Sequence, residues 1–357
     1  MKRSLKFTIN SGNNRKLIQI DELFLVYKQA INDLLVIASI KQDITEKDIK
    51  SYSSPLSYRY KQCARRQALS IYQTWLKAKK KGNQPTFDGA MVLDERFIEV
   101  RQSKNSSFDY WVKIATLAKG KPEIIPFKSY DYANQYFNDW KLVKGGRLKH
   151  NGKIWMLTLT FNKDAVEIKK QGSTLGIDIG IKKLIVDSSG NEYGKSIETL
   201  MDKIQRKQQG SKAFDRALKE RDYYINKTAK ELPLNELMMI VIENIKGIKQ
   251  NTKKERRLSK EFRSKFQRWT YARLIGRVQQ LAEVGGVHCQ FINPAYTSQT
   301  CSQCGFVHKL NRASESFRCR NCGYTADADF NAAVNILRLG LACQLMVGRS
   351  TQGNSFL

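Results

Sequence analysis

The sequence predicts a multidomain α/β fold, and three stretches carry the prediction. Thr174–Ile181 (TLGIDIGI) reads as an apolar strand with an aspartate inside it. Leu237–Glu243 (LMMIVIE) is a continuous apolar run, the pattern of a strand covered on both faces in a parallel sheet. Ala326–Leu337 (ADADFNAAVNIL) opens an apolar helix with acids at its head. The chain has 357 residues, enough for two or three cores.

Residues 2–9 (KRSLKFTI) alternate and read as a first strand. Leu17–Ile40 sets Leu23, Val26, Tyr27, Ile31, Leu34 and Leu35 at helical spacing, an amphipathic helix. Thr45–Ser51 is short and charged. Pro55 opens Leu56–Lys81, a second helical stretch carrying Tyr60, Lys61, Arg65, Arg66, Tyr72, Trp75 and a basic end. That stretch suits a core helix with a charged back, and equally backbone and base contacts to a nucleic acid. Gly82–Pro85 reads as a linker, and short strands follow at Met91–Leu93, Phe97–Val100, Tyr110–Ala115 and Ile124–Phe127. Their turn-rich spacing suggests a small antiparallel barrel or sandwich. Asp131–Trp140 is one helical excursion. Arg147–Leu148 and Ile154–Phe161 form a hairpin across His150–Lys153 (HNGK), with Trp155, Leu157, Leu159 and Phe161 on one face.

A third unit begins near residue 174. Leu175–Ile181 and Leu184–Val186 are strands, Ser188–Asn191 is a turn, and Tyr193 starts a further short strand. Ile197–Leu232 is a charged helical pair broken at Gln209–Lys212. Lys246–Leu281 holds twelve Lys/Arg against two acids, interleaved with Phe262, Phe266, Trp269 and Tyr271, and becomes a long helix from about Glu261. Val287–Ile292 is another strand, and the last helix runs from Phe330 to about Leu345. The tail from Gly348 is polar and expected to be disordered.

Lys plus Arg number 62 against 33 acids, a net charge of +29. So large an excess of one sign repels itself unless a polyanion is near, which points to nucleic acid. No apolar run approaches the roughly 20 residues of a membrane span. The N-terminus MKRSLKFTIN lacks an apolar signal segment, so a cytosolic protein is expected. Only three histidines occur, and no phosphate-binding Gly-rich loop, which leaves carboxylates and cysteines to carry chemistry.

The carboxylates are Asp178, Glu243 and Asp329. Two strand-end acids on neighbouring strands lie about 5 Å apart, and a helix start can bring a third to the same rim. Three acids that close cannot all ionise unless cations neutralise them. Oxygen ligands favour Mg²⁺ or Mn²⁺, and two such ions about 3.5–4 Å apart can drive phosphodiester hydrolysis. Each acid also has a structural reading: a paired strand aspartate for Asp178, a solvent-facing strand end for Glu243. Asp187 is first a turn residue, and Asp327 fits a helix N-cap, which leaves Asp329 as the third ligand.

Cys301-x-x-Cys304 and Cys319-x-x-Cys322 stand fourteen residues apart, each pair followed by a glycine, close to the spacing of a structural zinc site. Two disulfides are the alternative, against the grain of a reducing cytosol. Cys63, Cys289 and Cys343 are scattered and expected to be reduced thiols.

Taken together, GIDIGIKKL, VIENIKGI, YTSQTCSQCG, CRNCGY and DADFNAAVNIL resemble the TnpB family of transposon-encoded RuvC nucleases, relatives of compact type V CRISPR effectors. The likeness covers residues 174–337. It implies an RNase H-like RuvC domain with an inserted zinc ribbon, preceded by a wedge β-barrel and a helical recognition unit. The implied layout is 1–10, first wedge strand; 11–82, helical unit; 83–172, wedge barrel; 173–296, nuclease domain with a helical hairpin at 197–232; 297–325, zinc ribbon; 326–347, last nuclease helix; 348–357, tail. The resemblance further implies an RNA-guided DNA endonuclease that binds a guide (omega) RNA and reads a short motif beside its target. It would cut double-stranded DNA with Asp178, Glu243 and Asp329 holding two Mg²⁺ (or Mn²⁺). Cys301, Cys304, Cys319 and Cys322 would hold one zinc. Lys61, Arg65, Arg66, Arg268 and Trp269 are candidate nucleic-acid contacts, and a monomer is the favoured state. One departure stands out: Ala328 lies where the family often has arginine between two acids. A guided DNA-binding repressor and an unguided RuvC-like nuclease are the rival readings.

Overall fold

The structure, a computed structural model, describes residues 1–9, 14–78, 82–104, 106–245 and 268–352, with side chains through residue 344. The chain divides into two compact units, Met1–Asp164 and Ala165–Leu357.

In the first unit, β1 (Lys2–Thr8) pairs antiparallel with β8 (Trp155–Asn162) along its whole length, from Lys2 opposite Asn162 to Thr8 opposite Met156. The hairpin partner of β8 is β7 (Gly146–His150), joined through Asn151 and Gly152. Asn151 Oδ1 accepts from the amides of Lys153 and Ile154, and Gly152 supplies the positive φ that the turn needs. β2 (Met91–Leu93) and β6 (Lys141–Leu142) complete this sheet, and β3 (Ile98–Gln102), β4 (Tyr110–Ile114) and β5 (Glu123–Phe127) form a second one. The helices are α1 (Asn14–Lys41), α2 (Glu46–Ser51), α3 (Tyr58–Leu76) and α4 (Asp131–Asp139). Trp155, Leu157, Leu159 and Phe161 are buried together, as the alternation predicts. By length and composition α1 does reach the size of a membrane span, contrary to the sequence reading. Its Leu23, Tyr27, Ile31 and Leu34 belong to the unit's core, which accounts for its apolarity.

The second unit is built on a five-stranded sheet in the order β11-β10-β9-β12-β13. These are β9 (Ser173–Asp178), β10 (Ile185–Asp187), β11 (Glu192–Tyr193), β12 (Leu237–Glu243) and β13 (His288–Ile292). β9, β12 and β13 run parallel, with Ile177 opposite Ile242 and Glu243 opposite Ile292. Their β-branched interiors are covered on both faces. On one face lie α5 (Ile197–Gln205), α6 (Lys212–Ala229) and α7 (Tyr271–Val284), which share a core with Ile177, Ile240 and Ile242. On the other lies α8 (Ala328–Gln352), with Ile336 packed against Met239 and Val241.

Two glycines let α8 lie directly on this sheet. A Cβ at Gly176 of β9 would come within 2.5 Å of the Ala333 carbonyl, and one at Gly340 within 2.4 Å of Val241. Between β13 and α8 lie three short strands, β14 (Arg312–Ala313), β15 (Ser316–Arg318) and β16 (Thr325–Asp327), in that spatial order. β16 runs straight into α8.

Some boundaries differ from the sequence reading. Residues 246–267 lie outside the described residues, and with them Phe262, Phe266 and the expected helix start near Glu261. The described helix α7 begins only at Tyr271, after the non-helical Trp269 and Thr270. Asp187 is more than a turn residue: it ends β10 fully buried and accepts from the Ser189 and Asn191 amides, the Asn191 side chain and the Tyr193 hydroxyl. α8 continues past Gly348 to Gln352, because a single glycine costs a helix only about 1 kcal/mol and Arg349 and Gln352 are good helix formers. Residues 353–357 lie outside the described residues.

Candidate active site and zinc ribbon

Asp178 ends β9, Glu243 ends the neighbouring β12, and Asp329 sits in the first turn of α8. Parallel pairing of the two strands brings the first two acids to one sheet edge. The Asp178 carboxyl is strongly perturbed. Burial, then the charges of Glu243 and Asp329, push its pKa up to about 8, against the opposing pull of Arg312 and of the Ile179 amide, which donates to Oδ1 at 3.0 Å. Burial also raises Glu243, opposed by the Thr297 hydroxyl, which donates to Oε1, and by Arg312. Asp329 Oδ1 accepts from Arg312 Nη2 at 2.8 Å.

Sequence reasoning missed two of these groups. Thr297 lies in the loop after β13, and Arg312 opens β14. No local pattern marks either one; what brings them to the rim is the fold of residues 297–327. The arginine absent from position 328 is therefore not a guanidinium absent from the rim. Ala328 itself is fully buried against Cys301, Phe317 and Cys319, a place for a small side chain.

Asp327 behaves as the N-cap expected of it. Its Oδ1 accepts from the amides of Asp329 (2.9 Å) and Phe330 (3.0 Å), and Lys183 Nζ bridges its Oδ2 (2.9 Å) to Glu192 (2.6 Å). Burial alone would raise the Asp327 carboxyl, but Lys183 and these amides hold it below the usual range. The Asp329 backbone is thereby tied to the sheet.

The four thiols of Cys301, Cys304, Cys319 and Cys322 lie within 4.8 Å of one another. Among the described residues they are the one group of three or more potential metal ligands that close, so Asp178 feels the charges of Glu243 and Asp329 from farther apart. The sulfurs lie 3.7 Å apart in Cys301–Cys322 and 3.6 Å apart in Cys304–Cys319. These separations are far beyond the roughly 2.05 Å of a disulfide and match tetrahedral S₄ ligation with metal–sulfur bonds of about 2.3 Å. Amides of Gln303 and Cys322 point at Cys301 and Cys319, and the Phe306 amide helps lower the Cys304 thiol to about 6. Asn311 clamps the two knuckles, donating to the Gln299 and Phe306 carbonyls and accepting from the Arg320 amide. Asn331 and Asn335, one turn apart on α8, bind the Thr297, Thr300 and Ser302 backbone and so dock the ribbon onto the sheet domain.

The candidate nucleic-acid contacts of the sequence reading are largely engaged within the protein. Lys61 donates to the Tyr52 carbonyl, and Arg65 to the Ile44 carbonyl and Glu46. Arg66 reaches Asp94 at 3.5 Å but keeps 65% of its side chain exposed. Arg268 lies over the Phe214 ring, and Trp269 is buried beside Ile245.

Comparison with known proteins finds the following likenesses. A family model described as "Cas12f1-like, TNB domain" matches residues 271–336, which span α7, β13, the ribbon and the start of α8. The chain is 32% identical over 227 residues to a CRISPR-associated endodeoxyribonuclease Cas12f2 of a Micrarchaeota archaeon, covering 54% of this chain and 41% of that protein. It is 32% identical over 231 residues to a putative RNA-guided DNA endonuclease InsQ of Escherichia coli, covering 55% of this chain and 57% of the relative. Over these stretches the chain is similar to TnpB-type proteins and compact type V effectors. The matched stretches span less than two thirds of either relative. A solved Cas12f1–sgRNA–target DNA complex shares the fold, with a TM-score of 0.56 at 14% identity over 94% of this chain and 98% of that one. The motifs quoted above thus sit on a fold shared with that solved complex's protein.

A pH dependence follows from the raised Asp178. An acid whose folded pKa exceeds its unfolded value contributes stability that is full below the unfolded value and lost as pH rises through the folded one. Stability without added Mg²⁺ should therefore decline between about pH 4 and pH 8 at this group. The melting-point gain on adding Mg²⁺ should be larger at pH 8.5 than at pH 6.5. Thermal melts at the two pH values check this; an equal gain at both refutes it.

Proposed function

We propose that this chain is an RNA-guided DNA endonuclease with a single RuvC-type site. The reading rests on the meeting of Asp178, Glu243 and Asp329 with Arg312 and Thr297 at one sheet edge, where a buried acid carries an unfavourable charge unless a cation answers it. The donor set is all oxygen, which suits Mg²⁺ or Mn²⁺. When bound, two such ions would activate the attacking water and stabilise the leaving oxygen of a phosphodiester. Asp178, Glu243 and Asp329 hold them, Thr297 orients the Glu243 carboxylate, and Arg312 offers a guanidinium to the phosphate as well as to Asp329. The four cysteines hold one structural zinc, closed to substrate.

The remaining roles belong to the same proposal. The two sheets of the first unit, with β1 as a founding strand, are the wedge, and α1 to α3 are the helical recognition unit. Arg66 and the charge of +29 favour the backbones of a guide RNA and a double-stranded target, with sequence left to base pairing. Lys61, Arg65, Arg268 and the buried Trp269 act by fixing the surfaces around them. The protein works in the prokaryotic cytosol.

Purification under low salt should yield the protein with a bound RNA of defined sequence, identified by sequencing the extracted nucleic acid. A preparation free of RNA yet fully active on plasmid DNA would remove the guided reading.

A further inference from the structure

β13 is the edge strand of the catalytic sheet, and α7 crosses the face beside it. Between them lies a cavity of about 310 Å³, at the lower end of the roughly 300–1,000 Å³ range of small-molecule clefts. Tyr271, Ile275 and Gln279, at four-residue spacing on one stripe of α7, form one wall. Phe291 of β13 forms the other, held alongside Ile242 and left 38% exposed. The inner end is Glu243 and Asn244.

We propose that this groove is a subsite for one unpaired nucleobase of the strand held at the acid rim. The proposal rests on the nuclease reading for its substrate and on the groove for its chemistry. Among the described residues no cation lines the cavity, and its lining is aromatic, aliphatic and amide apart from Glu243, a surface suited to a flat ring. The walls present aromatic and aliphatic faces for a flat ring, and the exposed amides of Asn244 and Gln279 offer donors and acceptors to a base edge. Stacking on an aromatic face accepts any base, which suits an enzyme that leaves sequence to its guide. A base inside a duplex cannot enter without leaving its stack, so the groove selects an unpaired strand. Because Glu243 belongs both to the groove and to the catalytic rim, the captured base lies next to the phosphate to be cut. Phe291 is thus a positioning residue.

The test uses the ribonucleoprotein as purified and single-stranded oligodeoxynucleotides with one 2-aminopurine stepped along the strand, without added divalent metal. Fluorescence should be quenched several-fold at one position, lose that quenching in Phe291→Ala, and keep it in Phe291→Trp, which preserves a stacking face. With Mg²⁺, an abasic nucleotide at that position should slow wild-type cleavage by roughly 5- to 100-fold, the size of one base–aromatic contact, and slow Phe291→Ala no further. Quenching unchanged in Phe291→Ala, or an abasic penalty equal in both proteins, overturns the subsite. An absence of all cleavage by the wild type would sink the nuclease reading instead, and the metal-free quenching still decides the groove.

Discussion

Replacing Asp178 with alanine is expected to abolish Mg²⁺-dependent cleavage while leaving target binding intact. Three acids share the rim, and Asp178 is the one whose carboxyl both others perturb. Removing it takes away a metal ligand, and bound metal supplies several kcal/mol of stabilisation to developing charge, so the rate should fall by at least about a thousand-fold. Binding depends on charge and base pairing elsewhere and should be unchanged in a filter or mobility assay. The same substitution should raise the melting point of protein without added Mg²⁺ near pH 8, because it removes a carboxyl disfavoured by burial and by two like charges. A normally cutting Asp178→Ala protein would end the metal assignment, whatever its melting point.

Loss of zinc should produce the second large effect. Cys301→Ser removes a buried ligand, and structural zinc in small domains carries about 10–16 kcal/mol of apparent binding energy. Residues 297–327 should then lose protection in hydrogen exchange, and metal analysis should fall from about one zinc per chain to none. The ribbon delivers Arg312 to Asp329, and its leading loop delivers Thr297 to Glu243. Its collapse should therefore slow cutting by about a hundred-fold or more, the cost of misplacing a catalytic group by about 1 Å. The sheet of the second unit should stay protected, since its core lies outside the ribbon. Zinc-free protein that kept both ribbon protection and full activity would refute the link.

What could be read in advance was whatever leaves a periodic or spaced trace. The continuous LMMIVIE strand and the Trp155–Phe161 alternation formed as read, whereas the TLGIDIGI strand stops at Asp178, which ends it rather than lying inside it. The cysteine pairs were legible because a four-thiol metal site constrains the spacing of its ligands. Thr297 and Arg312 left no such trace, since each meets its acid only after distant parts of the chain fold together. The same distance hid the partners of Arg65 and Arg66: Glu46 and Asp94 lie 19 and 28 residues away, so the arginines read as free charge. Helix α2 went unread: Thr45–Ser51 was only short and charged, and although Thr45 and Asp48 make a reciprocal cap, six residues are too few for periodicity to register.

Gly176 and Gly340 have a consequence for how this catalytic centre keeps its dimensions. At Gly176 bare main chain presses against the main chain of α8, and at Gly340 the Val241 side chain presses on the helix backbone, so helix and strand meet with no room for an added side chain. The gap between the acid on the strand and the acid on the helix is therefore gauged by the backbone itself. Core side chains can drift over evolutionary time without resizing it, whereas a single added methyl at either glycine would reset it.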